Sequence, residues 1–349
     1  MVTVLLGGQI GSEGKGKIAA YLANEFDLSI RSGGPNAGHT VISNGEKMTM
    51  RLIPCAFINK KCLLAMSAGS LIDVDILLQE METLKIDPAS LIIDPQAGII
   101  EQKHKDLESS MKSDNMSSGC GVGYATSDKI LRKEDFKLAK DIEALAPYLN
   151  NVEKMANEYI DSGKKVMVEG TQGFDLSIHH GSYPYVTSRD TTAATFCGEI
   201  GLSPKVVEDI ILVLRTFPIR SCKGPINELT WEDVTNISQS TKNIIEYASV
   251  TKKVRRVGQF DEEMLEKAIR INRPTQLALN FVDYLDAHDY KVRNYSDLSY
   301  KTKKFIEELE RKFNVPVTLI GTGEGIEDTI DLRGSLKQNA SSIEAHTLG

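Results

Sequence analysis

Seven short runs of β-branched and aliphatic residues are spread along the chain, and several are separated by helical patterns. The runs are almost continuously apolar, as expected for strands covered on both faces of a sheet. Their alternation with helices favours an α/β fold, with a central mostly parallel sheet flanked by helices and long loop and helical excursions. The predicted strands are residues 2–6, 63–67, 91–93, 165–168, 210–216, 277–281 and 317–320.

Helical periodicity is clearest over residues 141–161, 261–271 and 298–312, where apolar side chains recur on one face. No linker separates these elements, and 349 residues with 41% hydrophobic residues can bury a large core. We therefore predict a single domain over residues 1–349. Two polar segments with weak periodicity, 103–135 and 231–258, are expected to be excursions from the sheet, where binding loops usually lie.

Charge and cysteine content limit the partners of the chain. Lys and Arg number 41 against 48 Asp and Glu, which gives a net charge of −7, so we expect no nucleic-acid partner. No apolar run approaches the roughly 18 residues of a membrane span, and the first residues lack a basic leader. Five cysteines without a CxxC pair favour unpaired thiols in a reducing cytoplasm.

A glycine-rich segment, GGQIGSEGKGK at residues 7–17, follows the first predicted strand and precedes a helical pattern. Glycines allow backbone N–H groups to approach a phosphate, and the start of a helix favours an anion. Lys15 would add a positive charge. The segment is not a Walker loop, because Gly16 stands where Ser or Thr would hold magnesium. A structural glycine-rich turn remains the alternative on these residues alone.

A second glycine-containing segment, GGPNAGHT at residues 33–40, follows after one short element. His39 could donate a hydrogen bond to a phosphoryl oxygen during transfer. Asn36 could hold a nucleotide phosphate. A histidine that only supports the fold remains the alternative at this point.

The two segments together resemble adenylosuccinate synthetase, and further blocks occur in that family's order along almost the whole chain. The length is similar to the archaeal and phage branches of the family. The matching blocks are residues 117–121 (SSGCG), 169–173 (EGTQG), 183–188 (YPYVTS), 223–225 (KGP), 250–258 (VTKKVRRVG) and 321–323 (GTG).

This resemblance implies a ligase that is usually a homodimer and that uses Mg²⁺ and a nucleoside triphosphate. In the family's reaction, N1 of a purine nucleotide loses a proton while the 6-oxygen takes the γ-phosphoryl group. The amine of L-aspartate then displaces phosphate from C6. Phosphorylation is needed because the 6-oxygen is a poor leaving group, so the site must neutralise phosphate charge and exclude water.

By resemblance, Lys15 contacts the phosphoryl donor, His39 stabilises the transferred group, and Ser12 occupies a catalytic and metal-binding position. The Gly38 carbonyl is implied as the other magnesium ligand. Arg132 is similar to an arginine that reaches the partner subunit's nucleotide. The residues expected to bind nucleotide or aspartate are Gln9, Gly11, Glu13, Gly14, Gly16, Lys17, Asn36, Ala37, Thr40, Ser117, Ser118, Arg132, Gln172, Thr187, Lys223, Thr251, Val254, Arg255, Asn280, Asp283, Gly321, Thr322 and Gly323.

Three positions depart from the family's usual pattern. Ser12 replaces an aspartate that acts as base for N1 and as magnesium ligand. Val254 interrupts the arginine run that looks at the ribose 2′-hydroxyl, and Phe281 replaces a lysine that supports guanine. These changes resemble the phage branch called aminoadenylosuccinate synthetase. They imply dGMP as substrate, ATP or dATP as phosphoryl donor, synthesis of 2-aminoadenine nucleotide for DNA, and action in the cytoplasm of a phage host.

Three alternatives were weighed against this prediction. An ordinary adenylosuccinate synthetase acting on IMP would simply tolerate Ser12. An inactive nucleotide-binding paralogue would bind without releasing phosphate, but it has no chemical need for Lys15, His39, Gln172 and Thr251 together. A P-loop kinase is disfavoured by Gly16.

Overall fold

The computed structural model describes residues 1–110, 119–221, 223–247 and 254–334. The strands in these ranges are β1 (Val2–Gly7), β2 (Leu28–Arg31), β3 (His39–Ser43), β4 (Glu46–Met50), β5 (Leu63–Met66), β6 (Leu71–Ile72), β7 (Leu91–Ile93), β8 (Gly98–Ile99), β9 (Val166–Glu169), β10 (Val207–Arg215), β11 (Ile219–Arg220), β12 (Glu228–Leu229), β13 (Arg256–Gly258), β14 (Gln276–Asn280), β15 (Val317–Gly321) and β16 (Thr329–Asp331).

Nine strands form the central sheet in the order β16-β15-β14-β10-β1-β9-β2-β5-β7. All neighbours pair in parallel except β15 and β16, so the sheet is mostly parallel as predicted. All seven predicted strands lie in this sheet. The prediction missed β2 and β16, which are only four and three residues long. A run that short carries too little periodicity to stand out from a loop.

Helices surround the sheet. Asn151, Asp261 and Ser299 accept hydrogen bonds from backbone N–H groups at the starts of three of them, which fixes where each begins. The helices in the described ranges are α1 (Lys15–Leu22), α2 (Val74–Thr83), α3 (Gln102–Ser110), α4 (Val122–Leu131), α5 (Val152–Asp161), α6 (Ala193–Ile200), α7 (Trp231–Ser238), α8 (Glu262–Asn272) and α9 (Tyr300–Phe313).

Two sequence predictions about helices need correction. The helix predicted over residues 141–161 begins only at Val152, because short 3₁₀ turns that contain Pro147 occupy the residues before it. The two polar excursions are also less irregular than predicted. The first contains α3 and α4, and the second contains α7 and β13. Their polar surfaces obscured the helical periodicity.

The sheet separates two large apolar clusters. Alternate residues of β1 belong to different clusters, with Leu5 in one and Val4 and Leu6 in the other. This arrangement covers both faces and explains why the strand sequences are continuously apolar. Within the described residues, no helix is both long and apolar enough to cross a membrane.

Polar residues gather where the parallel strands end. Arg31 ends β2, Glu169 ends β9, Arg215 ends β10 and Asn280 ends β14. The registers place Arg31 beside Glu169 and Arg215 beside Asn280. The carboxyl ends of parallel strands meet at one edge of a sheet, which is where ligands bind in open α/β folds.

Candidate active site

The turn between β1 and α1 is organised by one buried carboxylate. Glu13 accepts hydrogen bonds from the backbone N–H groups of Gln9, at 3.2 Å, and Gly11, at 2.8 Å. It also pairs with the ammonium of Lys15 at 2.7 Å, and both side chains are buried. Gly14 precedes α1 with a φ of 90°, a conformation that glycine adopts without strain. The turn is therefore held in one shape by its own side chains.

Close packing brings this phosphate loop, residues 7–17, against other predicted site residues. A Cβ at Gly16 would lie 2.9 Å from the Cβ of His39, and one at Gly14 would lie 2.7 Å from Nδ2 of Asn280. The amide of Asn280 donates to the carbonyl of Glu13 at 2.8 Å. Glycine is required at both positions because no side chain fits, and the glycines let His39 and Asn280 flank the loop.

His39 sits in a hydrogen-bonded group that we call the His39 network: Arg31, His39, Cys55 and Glu169. Nδ1 of His39 lies 2.6 Å from Oε1 of Glu169, and Arg31 donates to the same oxygen at 2.7 Å. The backbone N–H of Cys55 donates to the other oxygen of Glu169 at 2.7 Å. Nε2 of His39 is buried and has no hydrogen-bond partner among the described residues. One ring nitrogen is thus fixed while the other remains available.

Burial determines the charge of this network. Burial lowers the pKa of His39 to about 4, and the nearby guanidinium of Arg31 acts in the same direction. Burial alone would raise the pKa of Glu169, but Arg31 and His39 outweigh it and lower this pKa to about 2. Glu169 is therefore ionised and His39 neutral, so Nδ1 donates to the carboxylate. Burial raises the pKa of Cys55 well above its ordinary value, so the thiol is not reactive.

His39, Cys55 and Glu169 offer ligand atoms within 4.8 Å of one another. A cation there would lie against the guanidinium of Arg31, which already donates to Glu169. We therefore assign the group to hydrogen bonding and not to metal binding. The predicted magnesium position is elsewhere, at the exposed residues Ser12 and Gly38, where nothing lies within 4 Å of a Cβ built on Gly38. Open space and oxygen donors suit Mg²⁺.

Three predicted nucleotide contacts form a chain of hydrogen bonds. Nε2 of Gln172 donates to Oδ1 of Asn36 at 3.2 Å, and the amide of Asn36 donates to the hydroxyl of Thr187 at 3.5 Å. Oε1 of Gln172 is buried without a hydrogen-bond partner in the described part of the chain. The three residues come from separate loops, and folding brings Asn36 and Thr187 together although they are 151 residues apart in the sequence.

A second buried arginine packs against the segment predicted to read the triphosphate base. The guanidinium of Arg215 lies 4.0 Å from the ring centroid of Phe281 and 5.9 Å from that of Tyr284, and the two rings are 5.3 Å apart. One face of Phe281 is thus already covered. Burial raises the pKa of Asp283 to about 7, although Lys17 and Arg215 oppose this.

Arg215 also contacts two other parts of the site. One guanidinium nitrogen donates to the carbonyl of Ser12 at 3.1 Å, and the other pairs with the carboxylate of Glu246. Glu246 pairs with Arg255 as well, at 3.3 Å, and accepts nothing from the phosphate loop itself. We call Arg215, Glu246, Arg255 and Phe281 the Arg215 network.

Four residues predicted to bind nucleotide have side chains engaged inside the protein. The amide of Gln9 makes two hydrogen bonds to the backbone of Arg215. Glu13 holds its own loop. Lys17 donates to the carbonyls of Gly323 and Asp328 at 2.7 Å, and Thr322 donates to Val292. These side chains therefore shape the site, and their contact with nucleotide stays a prediction.

Other predicted residues lie at the margin of the site or are not described. Arg132, Lys223 and Val254 are exposed. Thr40 meets Thr49 across the β3–β4 hairpin at 3.4 Å, and the Ala37 carbonyl accepts from Arg31 at 2.7 Å. Ser117, Ser118 and Thr251 fall outside the described residues.

Sequence reasoning missed Arg31, Glu169, Arg215 and Glu246 as site residues. Three of them carried a usable signal, since each is a charged residue that ends an apolar strand, as in LSIR, VMVE and ILVLR. A buried charge needs a partner, and such partners collect at the strand ends. Glu246 lies in an irregular segment and carries no comparable signal.

Comparison with known proteins gives consistent matches. The adenylosuccinate synthetase family model matches residues 4–140 and 134–290. The adenylosuccinate synthetase of Methanocaldococcus jannaschii is 44% identical over 345 residues, which cover 96% of this chain and 97% of that protein. The enzyme of Pyrococcus sp. strain ST700 is 41% identical, with 95% and 99% covered.

Two solved structures are similar to the whole fold. The fully ligated adenylosuccinate synthetase of Plasmodium falciparum superimposes with a TM-score of 0.82 at 22% identity, covering 95% of this chain and 99% of that one. The succinoaminodeoxyadenylate synthetase of cyanophage S-2L, bound to dGMP and dATP, gives a TM-score of 0.80 at 26% identity and covers 95% of both chains.

Proposed function

The chain belongs to the adenylosuccinate synthetase family of ligases, and we propose that its purine substrate is dGMP. In this proposal it joins L-aspartate to C6 of dGMP, with hydrolysis of ATP or dATP, and the product is N6-succino-2-amino-2′-deoxyadenylate. The single observation that carries the choice of dGMP is Ser12 in the phosphate loop.

Ser12 bears on the choice of base through space and charge. In the family pattern an aspartate at this position takes the N1 proton and occupies the space beside C2. Serine leaves roughly one carboxylate's worth of room for the 2-amino group of guanine, and its hydroxyl can accept from that group. Ser12 is exposed, and its backbone carbonyl is fixed by Arg215 at 3.1 Å. The hydroxyl is therefore available to a ligand while the backbone stays in place.

A second candidate is ordinary adenylosuccinate synthetase activity on IMP, and overall similarity favours it. The archaeal adenylosuccinate synthetases are 40–44% identical to this chain, whereas the phage enzyme bound to dGMP is 26% identical. Identity over a whole chain mainly reflects the shared core, while one or two side chains decide the choice of base. For this reason we weight Ser12 above the overall identity and keep IMP as the alternative.

The phosphoryl site supports a ligase mechanism under either candidate. Lys15 and backbone N–H groups at the start of α1 would neutralise the phosphates of the donor. His39 donates from Nδ1 to Glu169, so its Nε2 carries a lone pair that can take the proton that N1 of the purine loses and then donate to the transferring phosphoryl group. The γ-phosphorus–oxygen bond of the donor breaks as the 6-oxygen is phosphorylated. The aspartate amine then forms the C6–N bond and phosphate leaves with the 6-oxygen.

In the dGMP proposal the Ser12 hydroxyl faces the 2-amino group, so the Gly38 carbonyl would hold Mg²⁺, which neutralises phosphate charge when it is bound. For the donor, Phe281 replaces the family's lysine with a phenyl ring, one face of which is covered by Arg215. An aromatic ring can pack against adenine, which supports ATP or dATP. The dATP bound to the cyanophage enzyme is consistent with this proposal.

A phosphate-release assay tests the proposed function. IMP, dIMP, GMP and dGMP are each combined with ATP, dATP or GTP, in the presence of Mg²⁺ and with or without aspartate. We expect release that requires aspartate and is fastest with dGMP and an adenine donor. Faster release with IMP or dIMP would establish the second candidate. Nucleotide binding without aspartate-dependent release would identify an inactive paralogue.

We also propose a homodimer in which Arg132 reaches the partner's nucleotide. Arg132 is exposed at the end of α4 and has a φ of 54°. An Arg132→Ala protein mixed with a His39→Ala protein should regain part of the activity, since hybrid dimers contain one intact site. Subunit exchange is verified with differently tagged chains. If exchange occurs without recovery of phosphate release, Arg132 is a solvated surface residue.

A further inference from the structure

Glu246 occupies a central place in the Arg215 network. Its carboxylate pairs with Arg215, which is fully buried, and with Arg255, which is mostly buried. The backbone of Arg255 donates to the carbonyl of Glu246 at 2.9 Å, and Tyr247 forms a β-bridge with Val254. Glu246 and Tyr247 therefore pair with Arg255 and Val254 as a short antiparallel stem. Arg255 is the proposed aspartate contact on this stem.

The guanidinium of Arg255 is only partly used. One terminal nitrogen pairs with Glu246, whereas Nε is buried and has no hydrogen-bond partner in the described ranges. The Nε edge of a guanidinium binds a carboxylate through two parallel hydrogen bonds. The ion pair with Glu246 therefore fixes the orientation of Arg255 and leaves donors for a ligand carboxylate.

Charge balance indicates the same kind of ligand. Two guanidinium groups share the single carboxylate of Glu246, and Arg215 further depresses the pKa of Arg255, which burial already lowers. Asp283, the other acid within electrostatic reach of Arg215, has a pKa raised by burial to about 7. The network therefore carries excess positive charge, which an added carboxylate would balance.

Arg215 connects this pair to the rest of the site. It donates to the carbonyl of Ser12 in the phosphate loop and covers one face of Phe281 in the donor-base segment. An anion that binds Arg255 therefore weakens the pairing of Arg255 with Glu246. Glu246 is then free to pair more strongly with Arg215, which contacts both nucleotide subsites.

We propose that Glu246 is a positioning residue, which orients Arg255 for the substrate carboxylate and, through Arg215, couples aspartate binding to the phosphate loop. This inference rests on the proposed ligase function, because it takes aspartate as the carboxylate. Glu246 itself does not touch the substrate in this arrangement. Its loss should therefore weaken aspartate binding more than donor binding.

The test is steady-state kinetics on Glu246→Gln, with aspartate, ATP and dGMP each varied in turn. We expect the KM for aspartate to rise by about tenfold or more, as when one partner of an oriented guanidinium is lost, with a much smaller change in the KM for ATP. Glu246→Asp keeps the charge and should restore part of the affinity. Arg215→Met should raise both KM values, because Arg215 contacts both subsites.

Glu228→Gln is the matched control. Glu228 pairs with Arg256, the residue after Arg255, at 2.9 Å on the exposed β12–β13 edge. This variant removes the same type of ion pair one residue away and should leave the KM for aspartate unchanged. An unchanged KM for aspartate in Glu246→Gln would overturn the inference. So would a fall in kcat and melting temperature with both KM values unaltered, since that describes a structural role alone.

Failure of the inference is distinguishable from failure of the proposed function. If the unaltered protein releases no phosphate in response to aspartate, the proposed function fails. If it does so and Glu246→Gln behaves as Glu228→Gln does, only the role of Glu246 fails. If Glu246→Gln does not fold, Glu246→Asp decides the question, because a shortened carboxylate should still raise the KM for aspartate above that of the unaltered protein.

Discussion

Two buried arginines end strands on opposite sides of β1, and their surroundings differ. Arg31 is neutralised by Glu169, which lies beside it in register on the adjacent strand β9. Arg215 is neutralised by Glu246, which lies outside the sheet and is shared with a second arginine. The His39 network is thus built wholly on the sheet and its loops, with one carboxylate for one guanidinium.

The difference indicates that the His39 network and the Arg215 network have different functions. A network that is complete in charge and fixed by the sheet suits preorganised chemistry, where donors must be in place before reaction. The Arg215 network has unbalanced positive charge, and its carboxylate, Glu246, lies outside the sheet. Such a network suits recognition, because a bound carboxylate can complete the charge balance. The following predictions test this contrast, from the largest expected effect to the smallest.

The largest expected difference is between Glu169 and Glu246 in their contribution to the free energy of unfolding. Glu169→Gln leaves Arg31 without its buried counter-charge and should lower the free energy of unfolding by about 3–5 kcal/mol. Glu246→Gln should cost less, because Glu246 and Arg255 are partly exposed and water can solvate the charge that is left. Urea unfolding of both variants, beside Glu228→Gln, measures the difference. An equal or larger loss in Glu246→Gln would contradict the contrast.

Turnover should depend most on the phosphoryl side. Lys15→Ala and His39→Ala should each reduce kcat by about 10²-fold or more, the usual scale for loss of a preorganised transition-state donor. The melting temperature should also fall, because Lys15 is paired with the buried Glu13 and His39 with the buried Glu169. Aspartate-dependent phosphate release and thermal melting are measured together. Near-full turnover in a folded variant would refute the role of the altered residue.

Ser12, whose carbonyl accepts from Arg215, should control the choice of base. A site matched to the 2-amino group loses about 1–3 kcal/mol when that group is absent, which is roughly 5- to 150-fold in kcat/KM for dGMP over dIMP. Ser12→Asp should erode or reverse the preference. Ser12→Ala removes the hydroxyl but keeps the space beside C2, so it shows which of the two sets the preference. Equal use of dIMP by the unaltered enzyme would support the IMP candidate.

The smallest effect concerns Asp283 and pH. Burial raises the pKa of Asp283 to about 7 against the opposing charges of Lys17 and Arg215, while Glu324 raises it further. Below pH 7 the protonated acid can donate to adenine N1 and accept from the 6-amino group. Above pH 7 the carboxylate can only accept, which suits N1–H and the 2-amino group of guanine.

The kcat/KM for ATP should therefore fall by about tenfold between pH 6 and pH 8, as the protonated fraction of Asp283 does, while that for GTP does not fall. Asp283→Asn presents one donor and one acceptor at every pH, so its kcat/KM for ATP should stay constant. A kcat/KM for ATP that is independent of pH in the unaltered enzyme would remove Asp283 from donor selection.

The sequence predicted the sheet better than the site. Continuous apolar runs identify parallel strands directly, and the same strands place the loops that follow them. A loop sequence does not tell whether a polar side chain faces a ligand or its own protein, and only the structure shows that Lys17 and Gln9 donate to backbone carbonyls. Glu246 was missed because its partners, Arg215 and Arg255, become neighbours only through folding.

The backbone at Ser12 has a consequence for how such enzymes change over time. Its φ is 59°, in the left-handed region, where aspartate is found several times more often than most residues with side chains. An exchange between aspartate and serine at this position therefore needs no rearrangement of the loop, in either direction. If Ser12 sets the choice of base as proposed, a lineage can pass between hypoxanthine and guanine nucleotides through a single codon, while the remaining chain stays as similar to its relatives as before.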